Sequence, residues 1–104
     1  MNLNDYQVAA SKYIVPNSSP EERVFGLLEE SGEVAGVFKR MFRGDYNTDI
    51  AGTKLHKELG DVLWYLSQIA QDNGWSLQSV AEENLAKLES RQQRNLIIGS
   101  GDER

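Results

Sequence analysis

Hydrophobic positions along this chain recur at three- and four-residue intervals, and no stretch alternates as a half-buried strand does, so every predicted element is a helix. A first helix is expected over 3–14, where Tyr6, Ala9, Ala10, Tyr13 and Ile14 share one face before Pro16. A second starts at Ser19 as N-cap, with Pro20 at the first helical position and Glu22 three residues after the cap. Its apolar side runs through Val24, Leu27, Leu28, Val34, Phe38 and Met41, with Phe25, Phe38 and Phe42 expected in the core. Gly32 and Gly36 each weaken that helix by about 1 kcal/mol, which suggests the close approach of another backbone or a ligand. Residues 43–53 read as the main loop, because Gly44, Asp45, Asn47, Asp49 and Gly52 supply turn chemistry. A third helix is expected over 54–72, stopped by Asn73-Gly74. A fourth follows a Ser76 cap and carries Leu77, Val80, Ala81, Leu85 and Leu88 towards Arg91. The pattern thus describes an all-α, four-helix domain over 1–98 and a flexible C-terminal tail over 99–104.

Acids interrupt the apolar faces of helices two and three. At about 100° per residue, Glu30 projects between Val37 and Met41, with Glu33 at the edge of that arc. On helix three, Glu58 projects between Tyr65 and Ile69, and Asp61 borders the same side. If the two helices pack antiparallel by their apolar faces, both pairs converge. Buried carboxylates without partners are costly, so such groups find a cation, bind a metal or take up a proton. Taken singly, each acid also reads as a surface residue of an amphipathic helix. An all-carboxylate set suits a hard cation, Mg²⁺ or alternatively Mn²⁺. Di-iron bundles instead need Glu-x-x-His spacing, and the only histidine, His56, points nearly opposite to Glu58.

Composition narrows the partners. The 104 residues carry a formal net charge of −5, which argues against a nucleic-acid polymer but leaves a nucleotide open, because a bound metal reverses the local sign. There are no cysteines, so disulfides and thiolate metal sites are excluded. No apolar run approaches the roughly 20 residues of a membrane span, and the first residues lack the pattern of a signal peptide. A cytoplasmic protein is the expectation.

Cationic and aromatic groups supply candidates for a ligand. Asn84, Lys87 and Arg91 share one side of helix four, where they could hold phosphate oxygens or simply snorkel from an apolar face. Lys54 lies on the Asp61 side of helix three and could meet phosphate or neutralise the acids. Lys39, Arg40 and Arg43 read as a solvated C-terminal turn. Trp64, off the main apolar arc, is expected to face a ligand or another subunit. Tyr46, Tyr65 and Trp75 are further stacking surfaces for a base.

Glu29-Glu30-Ser31-Gly32-Glu33 followed by Glu58-Leu59-Gly60-Asp61 resembles the EExxE…ExxD signature of the MazG-like, all-α nucleoside triphosphate pyrophosphohydrolases. The resemblance extends from Tyr6-Gln7 to the Asn84-x-x-Lys87-Leu88-x-x-Arg91 stretch. It implies Mg²⁺-dependent cleavage of a nucleoside triphosphate, a dNTP or non-standard NTP, between its α and β phosphates, giving a monophosphate and pyrophosphate. It implies that Glu30, Glu33, Glu58 and Asp61 are metal ligands, that Glu29 is an accessory acid, and that Asn84, Lys87 and Arg91 contact phosphate. Relatives assemble as homodimers or homotetramers, so the protomer is expected to complete its helical bundle by oligomerisation. Two alternatives remain: a non-catalytic oligomerisation or regulatory module whose acids pair with Lys54, Lys87 and Arg91, and a phosphoribosyl-ATP pyrophosphohydrolase on the same fold.

Overall fold

The computed structural model describes residues 1–104 as four α-helices and one short 3₁₀ turn. Helix α1, Leu3–Ala10, is capped by the Asn2 side chain and runs into the 3₁₀ turn Ser11–Tyr13. Helix α2, Pro20–Arg43, starts as its sequence dictates: the Ser19 hydroxyl accepts from the Glu22 amide, and Pro20 opens the first turn. It ends at Gly44, whose φ of 91° gives the left-handed turn that glycine adopts without strain.

Helix α3, Thr48–Asp72, begins six residues before the predicted start, so the connection from α2 is only residues 44–47. The Asn47 side chain accepts from the Ile50 amide and Asp49 lies in the first turn, where a negative charge favours the helix dipole. Asn and Asp bond nearby backbone amides in turns and in caps alike, and here they cap. Ser76 caps α4, Leu77–Gln93, through the Ser79 amide.

α2 and α3 form the principal packed pair, and α1 and α4 flank α3. Contacts at successive levels set the antiparallel register of α2 against α3. At one end Arg23 makes a two-pronged ion pair with Asp72, at 2.6 and 2.7 Å, and its third nitrogen reaches the Ser18 hydroxyl at 2.8 Å. One to two turns on, the Tyr65 ring lies against the bare backbone of Gly26, leaving no room for a Cβ. At the other end the Tyr46 hydroxyl donates to the Val37 carbonyl at 3.2 Å. Gly26 is thus the glycine that permits close approach; Gly32 faces open space and Gly36 meets only the Arg40 guanidinium.

α1 is held by polar contacts. The Gln7 amide donates to Gln71 and to the Trp75 carbonyl, each at 3.0 Å, and its oxygen accepts from the Leu77 amide at 2.6 Å. The Trp64 indole N–H donates to the Ala10 carbonyl at 3.1 Å, and its ring meets Tyr65 edge-on at 4.9 Å.

The core of the single chain is small. Its buried hydrophobic residues are Ala10, Val37, Ala51, Ala70 and Leu77. The phenylalanines expected in the core lie outside it, with Phe25 70% and Phe42 83% exposed and Phe38 also exposed. The reason is angular: Val24, Leu28, Ser31, Ala35, Phe38 and Phe42 follow alternating four- and three-residue steps along α2, a stripe that α3 does not cover. No helix is long and apolar enough to cross a membrane.

Candidate metal centre

Antiparallel packing of α2 on α3 brings three acids together. Carboxylate oxygens of Glu30, Glu58 and Asp61 all lie within 4.8 Å of one another. Glu30 and Glu58 are half-buried and Asp61 is exposed, so the group opens to solvent on one side. Glu33, expected as a fourth member, is not within that group; it lines the adjoining cleft instead. Glu29 is exposed on α2, and its charge acts on Glu30 from outside.

Electrostatics mark this cluster as unsatisfied. Burial, then a hydrogen bond with Glu58, then the charges of Asp61, Glu58 and Glu29 push the Glu30 carboxyl up to about 6. The Tyr6 phenol on α1 is also raised, first by burial and then by the Asp61 charge, which puts Tyr6 beside the acids. No ion pair relieves the three carboxylates: Lys54 sits 5.5 Å over the Tyr46 ring, while Lys87 and Arg91 pair with Asp102. Within one chain, none of the three cations that the regulatory-module alternative names pairs with the cluster. Three carboxylate oxygen donors on two packed helices fit a hard divalent ion.

A cleft of about 330 Å³ adjoins the cluster and shares Glu58 with it. Glu33, Val37, Arg40, Tyr46, Lys54 and Lys57 complete its lining. Lys54 lines this cleft with Glu58 and makes no ion pair with the acids. Arg40 and Lys57 are additions: Arg40 read as part of a solvated helix end, and nothing in the spacing singled out Lys57. The antiparallel packing of α3 on α2 sets Lys54 and Lys57 in one cleft with Arg40, and Tyr46 of the short connection joins them.

Other expected ligand residues fall elsewhere. Trp64 is half-buried and commits its indole N–H to α1. Asn84 is exposed on α4, so its amide needs no protein partner. Lys87 and Arg91 share no hydrogen bond, ion pair or cleft with the carboxylates within one chain. His56 is exposed, as its angle requires.

Comparison with known proteins agrees with this geometry. The MazG nucleotide pyrophosphohydrolase domain matches residues 18–95, which contain all five acids of the signature. The chain is also similar to the Gene 37 protein of Mycobacterium phage L5, with 37% identity over 114 residues covering the whole of both chains. No solved structure matches the chain. With its four helices, paired acids and a match over most of its length, the chain belongs to the MazG nucleotide pyrophosphohydrolase family.

Proposed function

We propose that the protein hydrolyses a nucleoside triphosphate, a dNTP or a non-standard NTP, at the α–β phosphoanhydride, releasing a nucleoside monophosphate and pyrophosphate. The observation that carries this reading is Glu58, which belongs both to the cluster of three carboxylates and to a cleft lined by Arg40, Lys54 and Lys57. An acid cluster alone suits any hard cation. Cations beside it suit a ligand that brings both a metal and excess negative charge, as a polyphosphate does.

Glu30, Glu58 and Asp61 would hold Mg²⁺, with Glu33 as a fourth donor from the cleft side. When bound, Mg²⁺ (or Mn²⁺) supplies positive charge to the phosphoryl oxygens and acidifies the attacking water. Glu29 or Glu33 accepts the proton of that water as its oxygen bonds to phosphorus. The P–O bond to the departing pyrophosphate breaks with its electron pair moving to the leaving oxygen, and Arg40, Lys54 and Lys57 balance that charge. Lys87 and Arg91 of α4 are assigned to phosphate as well, and phosphoribosyl-ATP remains the second substrate to try.

The same reading includes a homo-oligomer. The chain exposes 7632 Å², where a compact monomer of 11.7 kDa exposes about 5,900 Å². The difference, about 1,700 Å², exceeds the roughly 800 Å² per partner of a standard interface. The occupant proposed for the uncovered α2 stripe is a second copy of the chain.

The test is pyrophosphate release from a panel of NTPs, dNTPs, dUTP and oxidised nucleotides with millimolar Mg²⁺. Wild type should turn over at least one of them, and Asp61→Asn should lose about a hundredfold or more with the helical spectrum retained. Turnover unchanged in Asp61→Asn would refute the assignment.

A further inference from the structure

The residues after α4 fold back onto it. Asn95 at φ 58° and Gly101 at φ 86° turn the chain, and the Arg104 guanidinium donates to the carbonyls of Leu96, Ile97 and Gly101 at 2.7–2.9 Å. Arg94 grips the main-chain oxygen of Arg104. The loop so closed lays Asp102 on α4, with a carboxylate oxygen 3.3 Å from Lys87 Nζ and 3.2 Å from Arg91 Nη2. Arg91 Nη2 also donates to the Asp102 carbonyl at 2.9 Å. Arg91 and Lys87 hold the Asp102 carboxyl below the usual range.

The two sides of this contact are unequal. The Arg91 side chain is 9% exposed, whereas that of Asp102 is 77% exposed. A buried guanidinium strongly favours an anion beside it, while a solvent-facing carboxylate gains little from the pair. Lys87, Arg91 and Arg94 line a cavity of about 330 Å³ together with Glu83 of the same helix, and Asp102 and Glu103 form its loop wall. The cationic face is fixed on a helix, and the anion that meets it sits on a loop held by its own turns.

Taking the phosphate role assigned above to Lys87 and Arg91 as given, we propose that residues 99–104 are a strap whose Asp102 carboxylate occupies that face of α4 until a phosphate-bearing anion displaces it. The choice of pyrophosphate as ligand rests on the pyrophosphohydrolase reading. The site itself is tested without turnover. Isothermal titration of inorganic pyrophosphate, in buffer free of divalent cations, compares wild type with Asp102→Asn, Glu89→Gln and the Arg91→Gln/Asp102→Asn double variant. Glu89, exposed on the same helix, controls for net charge.

Asp102→Asn should bind pyrophosphate about fivefold more tightly than wild type, the range an exposed competing ion pair provides. Glu89→Gln should match wild type, and the double variant should lose the gain. In wild-type protein, saturating pyrophosphate should speed amide exchange in 99–104, a readout that needs no variant. Equal affinity in wild type and Asp102→Asn, an equal gain in Glu89→Gln, a gain that survives Arg91→Gln, or unchanged exchange would each overturn the strap. If the gain appears but no nucleotide is hydrolysed, only the catalytic reading falls. Hydrolysis without the gain removes only the strap.

Discussion

Glu30 concentrates the physics of the site in one side chain. Its carboxyl titrates near 6 in the folded chain, above its unfolded value, chiefly because burial penalises the charge. A folded-state value above the unfolded one means that the folded state takes up this proton first as pH falls. The metal-free protein should therefore gain stability between pH 7 and 5, by about 1 kcal/mol once solvent screening is allowed for. Asp45 and Asp102, whose carboxyls are lowered, lose their contributions only at more acid pH, outside this window. Urea denaturation should show Glu30→Gln more stable than wild type at pH 7 without metal, with a flatter pH profile; a less stable variant would contradict the account. Glu30 and Glu58 were legible in the sequence because their angles set them inside apolar arcs, and Asp61 because it borders one. Arg40 and Lys57 were not, because each lies on a polar face and only the packing of α3 against α2 shows what that face meets.

Helix packing explains both what the sequence disclosed and what it hid at the scale of elements. Ser19-Pro20, Asn73-Gly74 and Ser76 marked helix ends that the structure keeps. The stretch 48–53 read as loop because Asn47, Asp49 and Gly52 favour turns, yet the same groups begin a helix when the amides after them continue one. Gly26 went unremarked, since nothing local tells it from Gly32; only the Tyr65 ring on the facing helix does. Gly26→Ala should gain about 1 kcal/mol of helix propensity and lose more to overpacking, which costs roughly 1–3 kcal/mol in a filled core. A net destabilisation in urea melts, with weaker Mg²⁺ binding as α2 is pushed off α3, is the expected result. Stabilisation by the full propensity term would show that Tyr65 moves freely aside.

The whole molecule is open for its length. Its radius of gyration is 16.5 Å, where a compact chain of 104 residues has about 13 Å. Residue patterning signalled helices but could not say which of two apolar stripes on α2 faces α3, so Phe25, Phe38 and Phe42 were misplaced in the core. A second copy on the outer stripe removes the anomaly. Sedimentation should report an oligomer for wild type and a monomer for Leu28→Glu/Phe42→Glu; a monomeric wild type would contradict that assembly.

Thermal unfolding under a Mg²⁺ titration bears most directly on the acid cluster. At a hundred times its dissociation constant the ion should stabilise the folded wild type by about 2.7 kcal/mol, raising the melting temperature by roughly 10 °C or more. Glu30→Gln/Asp61→Asn should show little of that rise. A wild-type melting temperature indifferent to Mg²⁺ and Mn²⁺ would mean that Glu30, Glu58 and Asp61 are neighbours without being a site.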